Sequence, residues 1–176
     1  MKPSIYLFLA FIPLVVAGCC STTVSHNGVR LKAEDIINRE GIVLTPGDRL
    51  TTPGVFRPPV DIMIVAKTDS TNLRIAYAAD QVIFNWELNP QELRINGGPA
   101  DRQHKPGFGS IPTGKFVSIR WLVTPKRQSI FVDGELRFEH DGDYAHISQP
   151  VSVFPAIDST VTVKLVKVRE LPEDSK

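Results

Sequence analysis

Apolar and polar residues alternate with a period of two over most of the chain after Gly41. Alternation of this kind places successive side chains on opposite faces of a strand, and no later window keeps a helical apolar period over three turns. We therefore predict about ten short strands. They are Gly41–Leu44, Val60–Lys67, Leu73–Ala78, Val82–Glu87, Leu93–Asn96, Val117–Thr124, two strands flanking Asp133-Gly134, Val151–Phe154 and Thr160–Leu165.

Turn residues such as Pro46-Gly47-Asp48 and Gly97-Gly98-Pro99 separate these strands. Because each strand is apolar on one face only, the economical arrangement is two antiparallel sheets packed face to face. The chain of 176 residues has room for one such core. The fold class is therefore all-β, a two-sheet antiparallel β-sandwich. Trp86 and Trp121 lie on the apolar phase of their strands and are expected in its core.

The hairpin around Asp133-Gly134 is the clearest local signal, because this dipeptide supplies the positive φ of a tight turn. A plain two-residue turn pairs Val132 with Glu135. A three-residue turn with a bulge at Gly134 pairs Phe131 with Glu135 instead. Burial favours the second register, since three apolar side chains then share one face. These are Ile130, Leu136 and Phe138.

The N-terminus has the pattern of an export signal. Lys2 precedes the apolar run Ile5–Val16, which is shorter than the ~20 residues a membrane-spanning helix needs. Val16-Ala17-Gly18-Cys19 resembles the bacterial lipobox, which implies cleavage before Cys19 and its acylation with palmitate-type chains. An ordinary secretory signal and an uncleaved membrane anchor remain alternatives.

This resemblance divides the chain into segments. Residues 1–18 form a lipoprotein signal peptide, residues 19–40 the lipidated cysteine and a polar tether, residues 41–170 the β-sandwich and residues 171–176 a tail. Within the tether, Val29–Arg39 is expected as a short helix or an irregular cover. The protein would be exported and anchored to membrane lipid in the cell envelope. The absence of Asp at position 20 favours the outer membrane in a Gram-negative cell.

Composition excludes several function classes. Twenty basic residues against 19 acidic ones give no excess of positive charge for nucleic-acid binding. Both cysteines lie at the predicted cleavage junction, so the domain has no disulfide framework or thiolate site, and the fate of Cys20 is open. The four histidines lack metal-ligand spacing. Gly109–Lys115 mimics a phosphate-binding loop but continues into a predicted strand. We expect no cofactor or metal, and Asp141 and Asp143 form a polar turn or, alternatively, a calcium site.

A family resemblance covers residues 41–170 in layout, and its specific part is about twenty residues in the second half of the domain. Phe116–Trp121, a short turn and then Ser129–Leu136 resemble a hairpin of the laminin-G-like, concanavalin A-like lectin/glucanase superfamily, and Ser159–Leu165 is similar to its last strand. The resemblance implies a jelly roll. The resemblance does not select one function, because the superfamily includes lectins, glycosidases and pure interaction modules.

The candidate ligand residues follow from strand phase. Arg74, Asn85, Glu87 and Arg120 lie on polar phases and would line one surface if their strands formed one sheet. The aromatic candidates are Phe131 and Tyr144. No catalytic residue is assigned, since the Glu-x-Asp-x-x-Glu pattern of laminarinase-like members is absent.

These features indicate a membrane-anchored, exported recognition module that is non-catalytic and binds carbohydrate, with a polysaccharide or another envelope protein as partner. One alternative is a glycoside-active enzyme, in which Glu87 or Glu92 would lie within ~5–9 Å of a second carboxylate. The other is an envelope protein-interaction or scaffold domain, which would expose an apolar patch.

Overall fold

The computed structural model describes residues 41–172 and, as backbone, Thr23–His26 and Val29–Lys32. All regular structure in these residues is β-strand. In chain order the strands are β1 (Thr23–His26), β2 (Val29–Lys32), β3 (Ile42–Leu44), β4 (Leu50–Thr51), β5 (Val60–Thr68), β6 (Leu73–Ala76), β7 (Gln81–Phe84), β8 (Glu92–Asn96), β9 (Gln103–Pro106), β10 (Val117–Thr124), β11 (Arg127–Val132), β12 (Glu135–Asp141), β13 (Ser152–Phe154) and β14 (Val161–Glu170).

The strands form two sheets. Sheet A has eight strands in the order β2-β1-β4-β13-β6-β7-β8-β9, and sheet B has six in the order β12-β11-β10-β5-β14-β3. Neighbouring strands are antiparallel in both. The predicted two-sheet antiparallel sandwich is confirmed, because the inward side chains of both sheets form one continuous core.

Trp121 anchors this core from β10. It is fully buried, and its indole N–H donates to Oε1 of buried Gln128 at 2.8 Å. The rings of Tyr77 and Trp121 pack edge to face with centroids 6.1 Å apart. Among the described residues, the buried cluster begins at Leu44 and ends at Val168, so a chain without residues 1–20 retains all of these core residues.

The β11–β12 hairpin corrects the predicted register. Asp133 and Gly134 both take positive φ, of 50° and 85°, and Val132 pairs with Glu135 across a two-residue turn. The bulge lies further along β12, where Arg137 is the extra residue between two cross-strand pairs, Phe131 with Leu136 and Ile130 with Phe138. It returns Phe138 to the core beside Ile130. The placement of Leu136 was wrong, since it faces outward and is 44% exposed.

Two short stretches near the N-terminus also differ from the prediction. Thr23–His26 and Val29–Lys32 pair as antiparallel strands where the sequence suggested a tether and a helix or irregular cover. Ser25 lies opposite Thr51, which attaches this pair to the edge of sheet A. Among the residues described, no helix is long and apolar enough to cross a membrane. The predicted signal peptide, the acylated Cys19 and the last residues of the tail lie outside the described residues.

Candidate functional site

A row of side chains crosses the outer face of sheet A. Phe154, Arg74, Ile83, Arg94 and His104 lie directly opposite one another on β13, β6, β7, β8 and β9. With strands ~4.8 Å apart, this five-strand row is ~19 Å long. On β13, β6, β7 and β8 the neighbours in sequence face the core, so on these strands the row is the outward product of the same alternation that builds the core, while the edge strand β9 is polar on both faces.

Arg74 is the most heavily bonded member of the row. Its Nε and Nη2 donate to Oδ1 of Asn72 at 3.2 and 2.8 Å, and its Nη1 donates to Oε1 of Gln81 at 2.8 Å. The Glu87 carboxylate lies 3.5 Å from Nη2. Burial lowers the pKa of Arg74 below its usual value, while Glu87 acts in the opposite direction. Arg74 and Glu87, both predicted as ligand residues, are thus brought together.

Two arginines of this surface stack on aromatic rings. Cζ of Arg94 lies 3.8 Å from the centroid of Trp86, and Cζ of Arg49 lies 3.8 Å from the centroid of Phe154. A planar guanidinium on a ring face gains cation–π attraction and keeps its edge donors free for other partners. The two stacks fix rigid donors on either side of Arg74.

The expectation that Trp86 belongs to the core was wrong. It is only half-buried, because the preceding Asn85 has a φ of +49° and breaks the strand alternation. Asn85 therefore turns inward, and Trp86 leaves the inward phase that Val82 and Phe84 keep. This places Trp86 beneath Arg94 and brings Glu87 to Arg74.

Asn85 itself supports the surface from within. It is 3% exposed, its Nδ2 donates to the carbonyl oxygens of Ser70 and Ile111 at 3.2 and 3.0 Å, and its Oδ1 accepts the Ile111 N–H at 2.8 Å. These bonds connect the end of β7 to the two loops that contain Ser70 and Ile111. The structure places this predicted ligand residue behind the surface rather than on it.

A second charged group lies at the far end of the row, where Glu92, named above for the enzyme alternative, meets Arg94 and His104, which sequence reasoning missed. Oε1 of Glu92 lies 2.9 Å from Nδ1 of His104 and 3.9 Å from Nε of Arg94. Two buried atoms, Glu87 Oε2 and Arg94 Nε, make no hydrogen bond among the described residues and have only their longer ion-pair contacts. Buried polar atoms of this kind call for a further partner such as water or a ligand.

A cleft of about 630 Å³ adjoins the row. Its floor includes the small outward residues Ala76 and Ser152, which pair across β6 and β13, and loops 77–80, 98–99 and 143–150 line it. Arg49 lines the cleft and also stacks on Phe154, which makes cleft and row continuous. Gly98 has a φ of +68° and lies so close to the Ala78 carbonyl that a Cβ would collide with it.

The carboxylates Asp80 and Asp143 and the imidazole of His146 also line the cleft. Asp143 accepts the backbone N–H of Ala145 at 3.1 Å, and its neighbour Asp141 is held by Arg127 at 2.6 Å. That ion pair lowers the pKa of Asp141. In the part of the chain that the structure describes, no three acidic, histidine or cysteine side chains converge as a metal site.

Arg120 and Phe131 lie on the other sheet. They pair across β10 and β11 on the outer face of sheet B, so they share no surface with Arg74 and Glu87. Arg120 donates to the Asp61 carboxylate through Nε at 2.8 Å and Nη2 at 3.2 Å, and Arg169 donates to the same carboxylate at 2.7 Å. The prediction of one shared polar surface required one sheet, and that condition is not met.

Tyr144, the fourth predicted ligand residue that lies off the candidate surface, is in the core. It is fully buried, not exposed in a polar turn, and its hydroxyl is hydrogen-bonded with Nδ1 of His140 at 2.9 Å. Burial raises the pKa of Tyr144 to about 12. Its backbone N–H donates to Pro125, which draws the turn over the end of the core. Tyr144 is therefore a core residue.

No known protein family and no curated protein sequence matches this chain. Solved structures do. A Bacillus licheniformis β-glucanase is 9% identical with a TM-score of 0.55 and covers 74% of this chain and 78% of its own. The carbohydrate-binding module CBM66 of Bacillus subtilis is 9% identical with a TM-score of 0.54, covering 86% and 98%. The Caenorhabditis elegans galectin LEC-6 is 11% identical with a TM-score of 0.51, covering 75% and 92%. At these identities the likeness concerns the fold, and the chain has the concanavalin A-like jelly roll that the sequence resemblance implied.

Proposed function

We propose that this protein binds a polysaccharide along the outer face of sheet A, over the five-strand row and the adjoining cleft. The observation that carries the proposal is the row itself, where Arg74 and the stacked Arg94 lie on strands that both pair with β7, and Arg49 stacks on Phe154 at the end of the row. Two structural neighbours are, by name, a galectin and a carbohydrate-binding module, which supports the same ligand class.

The chemistry of the surface suits a hydroxyl-rich ligand. Sugar hydroxyls both donate and accept hydrogen bonds, and the surface offers guanidinium donors beside the carboxylates Glu87 and Glu92. Because strand pairing holds these groups at fixed spacing, their order is set before a ligand arrives, which lowers the entropy cost of binding. An extended chain of sugars would run across the strands and contact several members of the row.

Affinity electrophoresis in gels containing neutral or acidic polysaccharides tests this proposal. Arg94→Ala and His104→Ala should each weaken retardation by about tenfold, the size of a well-placed polar contact. Arg120→Ala is the matched control on sheet B and should leave retardation unchanged. The absence of retardation by any polysaccharide, or equal losses from Arg94→Ala and Arg120→Ala, would overturn the proposal.

A polysaccharide-cleaving enzyme is the second candidate. The feature that favours it is the pair of half-buried carboxylates, Glu87 and Glu92, on one sheet surface, with His104 beside Glu92. Release of new reducing ends from a bound polysaccharide, lost in Glu92→Gln with binding retained, would establish this alternative. The proposed recognition module yields no new reducing ends under the same conditions.

We further propose that acyl chains on Cys19 anchor the module to a membrane of the cell envelope. The support is the order of Lys2, the apolar run to Val16 and the sequence Val16-Ala17-Gly18-Cys19. Each buried CH₂ of an acyl chain contributes ~0.8 kcal/mol, so several chains give a durable anchor. Labelled palmitate should be incorporated by the full chain and by Cys20→Ala but not by Cys19→Ala, and label in Cys19→Ala would contradict this assignment.

A further inference from the structure

The outer face of sheet B carries a second row with a different character. Lys167, Met63, Arg120, Phe131 and Leu136 lie opposite one another across β14, β5, β10, β11 and β12. Long cationic side chains thus stand beside apolar ones. None of these residues belongs to the surface proposed for polysaccharide.

Apolar side chains extend this face beyond the row. Val65 and Leu165 pair across β5 and β14, and Leu122 lies opposite Asp61 one row further along. All three are half-buried and point away from the core, while Val43 on the edge strand β3 is 55% exposed. Every strand among the described residues belongs to one of the two sheets, so none of these strands forms a third layer on this face.

Positive charge is concentrated on the same face. The amines of Lys67 and Lys164 lie 5.1 and 4.0 Å from the centre of the Phe116 ring. Asp61 is shared between two arginines of the face. The cations of what we call the basic face are Lys67, Lys164, Lys167, Arg120 and Arg169.

The acidic groups around the basic face leave this charge largely uncompensated. Asp61 neutralises one of its five cations. At the β12 margin, Glu135 lies 3.3 Å from Arg137, and Glu139 and Asp141 share Arg127 at 3.4 and 2.6 Å, so this margin carries one carboxylate more than it has arginines. Glu170 is exposed at the end of β14. The centre of the face remains cationic and apolar.

We propose that the basic face docks on the anionic headgroups of a lipid membrane. Basic side chains near an anionic membrane surface are attracted to it, and apolar side chains between them enter the headgroup boundary. The face is complementary to such a surface in both charge and polarity. Sheet A would then be turned away from the lipid, with its row and cleft open to polymers.

The mixture of cationic and apolar side chains favours a membrane as the occupant. Met63 lies between Lys167 and Arg120 in the row, and Phe131 and Leu136 continue it, so the cations can meet headgroup phosphates while the apolar groups enter the headgroup boundary. A second copy is disfavoured, because two basic faces in a symmetric contact would bring like charges together.

Sedimentation with lipid vesicles tests the docking. The chain from residue 21 onward keeps every core residue that the structure describes and lacks the leader and both cysteines, so neither an acyl chain nor the apolar run contributes. It should bind vesicles of phosphatidylglycerol far better than vesicles of phosphatidylcholine, and added salt should weaken the binding. Equal binding to both lipids, or none to either, would overturn the proposal.

Paired charge reversals locate the contact. Lys164→Glu with Lys167→Glu should lower the affinity for phosphatidylglycerol vesicles by roughly 30-fold or more, since each basic residue near the surface is worth about a factor of five. Arg102→Glu with Lys126→Glu changes the net charge equally at two exposed loop positions and should have a much smaller effect. Circular dichroism and thermal unfolding check that both variants fold.

The remaining outcomes separate the alternatives. A dimer in sedimentation velocity that the Lys164/Lys167 variant abolishes would assign the face to a second copy and overturn membrane docking. Loss of polysaccharide retardation in that variant would assign the face to polysaccharide. Retained polysaccharide binding together with lost vesicle binding is the expected result, and failure of the sheet A proposal alone would leave the vesicle results unchanged.

Discussion

The guanidinium of Arg94 lies over the indole ring of Trp86, with Cζ 3.8 Å from the ring centroid. At a partly exposed site such a stack contributes about 0.5–1 kcal/mol. A double-mutant cycle on Trp86→Ala and Arg94→Ala, measured by urea unfolding, should therefore give a coupling free energy of this size and favourable sign. Additive single effects would show that the two side chains do not interact.

Asn85 should matter for folding rather than for ligand contact. Asn85→Ala removes three hydrogen bonds and leaves a left-handed backbone at a residue that disfavours it, so the free energy of unfolding should fall by at least about 2 kcal/mol. Asn85→Gly loses the same bonds but tolerates the φ of +49°, so it should be about 1 kcal/mol more stable than Asn85→Ala. Equal stability of the two variants in chemical denaturation would exclude the backbone contribution.

The β11–β12 turn offers a test with a matched glycine. Gly134 has a φ of +85° with open space around its Cβ position, so Gly134→Ala should cost about 1 kcal/mol through backbone strain alone. Gly54 lacks positive φ, and its Cβ position is 3.8 Å from the nearest atom, on the Phe56 ring. Gly54→Ala should be neutral or slightly stabilising by thermal unfolding. A neutral Gly134→Ala would contradict the two-residue turn.

Asp61 should make stability depend on pH. Burial alone would raise its pKa, but the hydrogen bonds from Arg120 and Arg169 outweigh burial and hold the pKa below its ordinary value of 3.8. A carboxylate with a lowered folded-state pKa stabilises the fold above its unfolded-state pKa, and this contribution is lost as pH falls through the folded-state value.

Asp61→Asn should therefore reduce the free energy of unfolding at pH 7 by about 1 kcal/mol, a modest value because both arginines are partly exposed. The difference from the wild-type protein should shrink as pH falls below 3.8. Urea unfolding at about pH 2 to pH 7, a range that spans both protonation states of Asp61, measures this difference in the free energy of unfolding. A difference that grows on acidification would contradict the ion-pair account.

The strands that alternation predicted best are those with one face in the core. Val117–Thr124 was predicted with the boundaries that β10 has, because a full row of its side chains is buried. β4 and β9 escaped prediction, since two residues show no period and Gln103–Pro106 is polar on both faces. The predicted hairpin register was wrong because burial alone does not reveal the bulge at Arg137. That extra residue shifts the pairing of β12 with β11 and returns Phe138 to the core side of the sheet.

The candidate surface was predicted only in part for a related reason. The alternation along β6 correctly placed Arg74 on an outward face. It could not show that Arg120 belongs to the other sheet, because the assignment of strands to sheets depends on strand order, which a period of two does not encode. The reversal at Asn85 had one available signal, namely that asparagine tolerates left-handed φ better than most residues. Glu92 and His104 meet only because β8 and β9 pair, and β9 was not predicted.

Chemical-shift mapping with a polysaccharide fragment most directly tests where the ligand binds. Backbone amides of the uniformly ¹⁵N-labelled protein would be followed during titration with an oligosaccharide from the best-retarding polymer. The account predicts that the perturbed amides cluster on β6, β7, β8 and β13, around Arg74 and Arg94, and not on the opposite sheet. Perturbations confined to β5, β10, β11 and β14 of sheet B would contradict it.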